Sequence, residues 1–226
     1  MDDGGFVYHF RELKSRLKHS AIVFVFLCGL GWFVSDHLLV FIQNDLAVEL
    51  HAVRVYEVIY ARLNIAFMFG LAFTLPVLCY QLLNFAKPGL TKTEYRYLRN
   101  FLPLSFVLFV LGSVFAYVFV ISSALNFFYG QTLVSGIQPI WSLSNTIGFI
   151  VRISALTGLL FQVPIFIYIL NSLGVVDKRK LKLYRPYFVV SVLFVSALAT
   201  PPDIITQVLI TLPVILLYEI TLRLIR

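Results

Sequence analysis

Charge is what this chain of 226 residues has least of: Asp, Glu, Lys and Arg make up only 13% of it, against 60% hydrophobic residues and a mean hydropathy of +0.90. A soluble domain carries about 25% charged residues, so this balance excludes an ordinary soluble fold and implies several membrane spans. Acids are scarcer than bases, 11 against 18. Nucleic-acid binding would need those bases gathered on one face of a soluble domain; here they form short clusters between apolar runs, and no nucleic-acid partner is expected. Cysteine is nearly absent. Cys28 and Cys79 both lie inside apolar runs, where a thiol behaves as a small hydrophobe and reports no redox compartment. His9, His19, His37 and His51 all lie outside the apolar runs or at their edges, so no buried histidine dyad or metal cluster can be drawn. Neither a His-Glu-x-x-His nor a phosphate-binding Gly-x-x-x-x-Gly-Lys-Ser/Thr occurs. No enzymatic activity and no cofactor is expected, and any work has to be driven by partners or by an ion gradient.

What is present is a series of six apolar runs, roughly 20–36, 60–85, 101–127, 145–170, 184–199 and 204–222. No small-residue cleavage site follows the first, so it is expected to be retained as a span rather than removed as a signal peptide. At about 1.5 Å per residue the first four can cross a core of about 30 Å. The last two are shorter. Between Pro186 and Pro201 a helix would reach only about 21 Å, which predicts either a thinned bilayer or a re-entrant pair. The fold class expected is therefore an all-α integral membrane protein of six transmembrane helices, a single domain over 1–226. Segments 1–19, 86–100, 171–186 and 223–226 hold 15 of the 18 Lys and Arg residues. The positive-inside rule places them, and both termini, in the cytoplasm. Phe10, Leu13 and Leu17 make one apolar stripe on a predicted surface helix that leads into the first span. Segment 37–58 reads as an outside loop carrying one or two short amphipathic helices, and 128–144 as a second outside loop.

Polar side chains inside apolar runs are expensive and so are candidates for function. Gln162, next to Pro164, is the most central: it suits a hydrogen bond to another protein's transmembrane helix, or equally a bond inside the bundle. Arg62 and Arg152 are near enough to the outer ends of their runs to snorkel. Glu219 is expected to pair with Arg223 at i+4, and Gln81 and Gln207 to bond within the bundle. Thr200-Pro201-Pro202-Asp203 reads as a structural outer turn, with Asp203 capping the helix that follows. Segment 87–99 carries four bases and one acid, Glu94. Thr91 and Glu94 fit a capping box, and Glu12 has Arg16 at i+4, so local structure alone can account for both acids.

The order of motifs adds a second line. His9-Phe10-Arg11-Glu12-Leu13-Lys14-Ser15-Arg16-Leu17, Pro76-Val77-Leu78-Cys79-Tyr80-Gln81 with Phe85, and Pro88-Gly89-Leu90 with Glu94 and Arg96 come first. Gly112 with Phe115-Ala116-Tyr117, Phe161-Gln162-Val163-Pro164, Arg185-Pro186-Tyr187 and Thr200-Pro201-Pro202-Asp203 with Gln207 follow. Over nearly its whole length the chain resembles the TatC subunit of the twin-arginine protein translocase. The resemblance implies a concave, glove-like bundle with two short final helices in the prokaryotic cytoplasmic membrane. It implies that Glu12 and Glu94, flanked by Leu90 and Arg96, receive the paired arginines of signal peptides on folded cargo. It also implies partners of the TatA and TatB type, each with a single span, for which Gln162 marks a contact. The family commonly has glutamate where Gln162 stands and arginine where Lys14 stands, and Glu57 matches an outer-side acid without the proline that often precedes it. The alternative class is a secondary transporter or channel, in which Arg62, Arg152, Gln162 and Gln207 would line a solute path.

Overall fold

The computed structural model describes residues 3–46, 49–100, 102–136, 140–200 and 203–225, with side chains from residue 11 onward except at 93, 94 and 97. Helix α1 is continuous from Asp3 to Asp45. Its 43 residues reach about 64 Å, twice the thickness of a bilayer core. The surface helix, the first span and segment 37–58 as far as Asp45 are thus one rod, in place of the short separate helices expected for that segment. The first proline of the chain is Pro76, so nothing earlier removes a backbone donor, and Asp36 in the last third of the helix is neutralised by Arg62 of the next helix.

After a strand of two residues, β1 (Leu50–His51), helix α2 runs from Glu57 to Ala86 and ends in a single tight turn over Lys87–Gly89. Helix α3 (Lys92–Asn100) precedes α4 (Leu102–Phe115), a wider π-helical segment over Ala116–Ile121, and α5 (Ser122–Val134). The third span therefore runs on past its apolar run and takes residues 128–134 from the expected second loop; a turn follows at Gly136, whose φ of +69° suits a residue without a Cβ. Strand β2 (Trp141–Ser142) pairs with β1 in parallel, Leu50 opposite Trp141 and His51 opposite Ser142. Helices α6 (Leu143–Leu160) and α7 (Val163–Ser172) break at Gln162, just before Pro164.

Helix α8 (Lys178–Ala199) passes through Pro186 rather than starting after it. Its 22 residues reach about 33 Å, which corrects the expected 21 Å. The carbonyl that Pro186 deprives of a partner belongs to Lys182, on an exposed and basic turn, where its loss is tolerated. Helix α9 (Ile204–Leu224) has 21 residues. These two are the shortest of six helices long and apolar enough to cross a membrane, the others spanning 30 to 37 residues.

Helix α6 is the centre of the bundle. Ten of its 18 residues are buried, against three of 22 in α8. Ile147, Ile150 and Ile153 meet Ala61 and Ile65 of α2, Val120 and Ile121 of the π segment and Ile210 of α9. Polar pairs collect at the two ends. Glu12–Arg16, Lys178 on the Ile225 carbonyl, and Arg185–Glu219 mark one end; Asp36–Arg62, Asp45–Tyr117 and Glu57–Ser142 mark the other.

Candidate binding face

The basic end of the bundle holds the residues that the sequence singles out, and the last turns of α2 organise them. Arg16 on α1 grips Glu12 one turn earlier, Nη2 and Nε donating to Oε1 at 2.6 and 3.0 Å. Its Nη1 donates across to Gln81 Oε1 at 3.4 Å. Three residues further along α2, on the same face, Asn84 Oδ1 accepts from the Tyr95 hydroxyl of α3 at 2.8 Å. Lys87 Nζ stands 5.3 Å from the centre of the Tyr95 ring, within cation–π range. One face of α2 therefore fixes both the helix that carries Glu12 and the helix that carries Glu94.

Glu94 is the third residue of α3; its side chain lies outside the described residues. Around it a cavity of about 410 Å³ is lined by Lys87, Leu90, Thr91, Lys92, Tyr95, Arg96 and Arg99. Leu90 is half-buried, held by its backbone N–H on the Lys87 carbonyl at 3.1 Å, and Arg96 is exposed. The described lining is strongly basic. Among the described lining side chains, the Tyr95 ring offers an arriving cation a favourable face. A second, apolar groove of about 270 Å³ begins beside this face, with Leu83 of α2, Leu98 of α3, and Pro164 and Ile165 of α7 in its walls.

Gln162 is fully buried at the α6–α7 break. Its Nε2 donates to the Ser105 carbonyl of α4 at 3.0 Å and to the Gly158 carbonyl at 3.3 Å, while Oε1 is buried with no partner among the described residues. The amide nitrogen thus serves the bundle, and the oxygen is left over. Asp203 caps α9: Oδ2 accepts from the Thr206 N–H at 2.8 Å and Oδ1 from its hydroxyl at 2.7 Å. Pro201 and Pro202 lie outside the described residues. Glu219 pairs with Arg185 of α8 at 2.6 Å rather than with Arg223. The residues that would line a solute path each take a separate partner: Arg62 holds Asp36 at 2.5 Å, Arg152 returns to the Gly148 carbonyl, and Gln207 donates to the Leu193 carbonyl. Among the described residues no cluster of three or more His, Cys, Asp or Glu side chains could hold a metal ion.

Sequence reasoning missed the Asn84–Tyr95 bond, because neither residue sits in a local pattern that names the other. It also missed where Glu57 goes. That carboxylate is 2% exposed and accepts from the Ser142 hydroxyl and the Ser144 N–H at 3.0 and 3.2 Å, which satisfies the N-terminus of α6 with an anion.

Comparison with known proteins decides the family. The profile of the Sec-independent protein translocase protein (TatC) matches residues 8–213. The chain belongs to the TatC family. It is 33% identical over 217 residues to the TatC of Listeria innocua, covering 95% of this chain and 88% of that protein. It is 31% identical over 221 residues to the TatC of Escherichia coli K12, covering 95% and 85%. A crystal structure described as the twin-arginine translocase receptor TatC in DDM matches with a TM-score of 0.84 at 31% identity, covering 96% of this chain and 99% of that one. A TatC-family chain is a multi-pass membrane component of a protein translocase, a transport subunit rather than an enzyme.

Proposed function

We propose that this TatC-family chain receives the signal peptides of folded cargo bearing paired arginines on the face built from α1, the end of α2 and α3, with both termini in the cytoplasm. The observation that carries it is that Gln81 and Asn84, on one face of α2, hold the helices of Glu12 and Glu94 together. Glu12 is already occupied by Arg16, so the first arginine of a signal exchanges with a resident guanidinium of the same shape. Such an exchange favours a planar, bidentate donor over lysine. Glu94 takes the second arginine, and Leu90 and Arg96 shape the entrance beside it.

Magnitudes divide the labour. Hydrogen bonds to charged groups contribute about 1.5 to 3 kcal/mol and exposed ion pairs often less than about 1, whereas micromolar binding needs about 8. The arginines therefore set specificity and register. The apolar region of the signal supplies most of the affinity, by entering the groove between Leu83, Leu98 and Ile165 or the lipid next to it. Single-span partners of the TatA and TatB type dock on the same bundle, with Gln162 as the candidate contact, and the assembly works as a multi-subunit complex.

The test is crosslinking of a twin-arginine precursor to inserted Glu12→Ala, Glu94→Ala and double variants. Each single variant is expected to lose most of its crosslinking, and the double variant to match a precursor whose two arginines are lysines. Undiminished crosslinking by a correctly inserted double variant sinks the proposal.

A further inference from the structure

Three of the 18 Lys and Arg residues, Arg54, Arg62 and Arg152, lie outside the four basic segments. Arg62 is offset by Asp36. Arg54 and Arg152 have no carboxylate partner among the described residues, yet the fold brings both to one cavity. It holds about 340 Å³ between α2 and α6, at the end of the bundle opposite the basic segments. The rest of its described polar lining is neutral, including the phenols of Tyr56 and Tyr60 and the amides of Asn64 and Asn145. Each guanidinium is steadied by one bond, Arg54 Nη1 to the Tyr56 hydroxyl and Arg152 Nε to the Gly148 carbonyl, both at 3.2 Å. Their other N–H groups have no protein partner among the described residues. The nearby acid, Glu57, does not line the cavity and is committed to Ser142 and to the N-terminus of α6. An anion here would answer to the two guanidinium groups rather than to the helix terminus.

Depth and surroundings identify the anion. The fourth span, Leu143–Ser172, has 30 residues and reaches about 45 Å, leaving about 7 Å beyond a core of about 30 Å at each end. Arg152 is then rooted about 6 Å inside the core by the same rise, and its side chain turns outward to Gly148, which brings its charge to headgroup level. Tyr56 and Tyr60 are half-exposed, as interfacial aromatics are. Beside the cavity Ile59 and Leu63 of α2 are 54% and 51% exposed, an apolar surface against which an acyl chain can lie. A free phosphate would use the arginines but not this surface.

We propose that the cavity binds the phosphodiester of an anionic phospholipid from the leaflet at that end, clamped between Arg54 and Arg152. The headgroup offsets two arginines that have no carboxylate partner among the described residues and ties α6 to the interface. The test is native mass spectrometry of the full chain in mild detergent, with phosphatidylglycerol or phosphatidylcholine added. Phosphatidylglycerol is expected to be retained in preference to phosphatidylcholine, whose ammonium group the arginines repel. R54Q/R152Q is expected to lose retention on the order of tenfold or more, the scale for losing two basic contacts to an anionic headgroup. R179Q/K180Q, at the other end of the bundle and with the same loss of charge, is expected to keep it. Equal retention of the two lipids by the unaltered chain overturns the proposal without any variant. So does unchanged retention by R54Q/R152Q, and so does stripping of phosphatidylglycerol by millimolar inorganic phosphate, which would make the cavity a free-anion site.

Discussion

Gln162 shows how one side chain can carry two duties of opposite sign. Its amide nitrogen joins α4 to the end of α6, and its oxygen is buried without a partner among the described residues. A hydrogen bond contributes about 0.5 to 1.5 kcal/mol net, while a desolvated orphan costs about 1 to 3. Gln162→Leu gives up the two bonds of the nitrogen, about 1 to 3 kcal/mol together, and relieves an orphan of similar cost, so the unfolding free energy is expected to change by less than about 2 kcal/mol in either direction. If the orphan oxygen is the acceptor for a partner's span, the same variant loses co-purification of single-span partners while its thermal stability in detergent stays within that range. Normal co-purification with normal transport removes Gln162 from the partner interface. Contact of this kind requires the seam between α4 and α6 to part, because the side chain is fully enclosed. The glutamine itself was legible as a polar group in an apolar run; its bonds were not, since Ser105 lies 57 residues away. Glu219 teaches the same lesson. Spacing along one helix offers Arg223, but the tertiary fold supplies Arg185 from the neighbouring helix, at 2.6 Å.

At the scale of helices, close contact is made where side chains are missing. A Cβ on Gly112 of α4 would stand 2.9 Å from the Gly158 Cα of α6 and 2.8 Å from the Phe161 ring. A Cβ on Gly158 would meet the Phe109 ring at 2.7 Å and the Ser113 hydroxyl at 2.8 Å. Membrane helices, lacking a hydrophobic drive toward each other, rely on such small-residue seams. Gly112→Ala and Gly158→Ala are each expected to destabilise the protein by about 1 to 3 kcal/mol through overpacking. Gly29→Ala, with nothing within 4 Å of its added Cβ, is expected to gain up to about 1 kcal/mol of helix propensity. Thermal unfolding in one detergent reads all three, and equal effects at the three sites would refute the seam. The length and order of the apolar runs made the six spans legible in the sequence. The ends of those spans were not, because hydropathy falls where charged side chains appear although the helix continues. Segment 37–45 stays helical with Asp36 neutralised by Arg62, and Pro186 sits on an exposed turn that can leave one carbonyl unbonded.

For the whole molecule, the distribution of charge and the pattern of polar pairs agree on two unlike ends. Fifteen of 18 basic residues belong to four segments, and the pairs Glu12–Arg16 and Arg185–Glu219 hold parts of those segments at one end. The acids Asp36, Asp45 and Glu57 are engaged at the other, by Arg62, Tyr117 and Ser142. Six spans return the chain to the side on which it began. Under the positive-inside rule that side is expected to be the cytoplasm. With Cys28 and Cys79 replaced by alanine, a cysteine at the exposed Ser135 is expected to react with a membrane-impermeant thiol reagent in intact cells. One at the exposed Lys182 is expected to react only after the membrane is opened. The opposite pattern would place Glu12 and Glu94 on the side to which cargo is delivered, and would rule out recognition of an incoming signal by this face. Labelling of both positions in intact cells would mean that the span between them, Leu143–Ser172, does not cross the membrane.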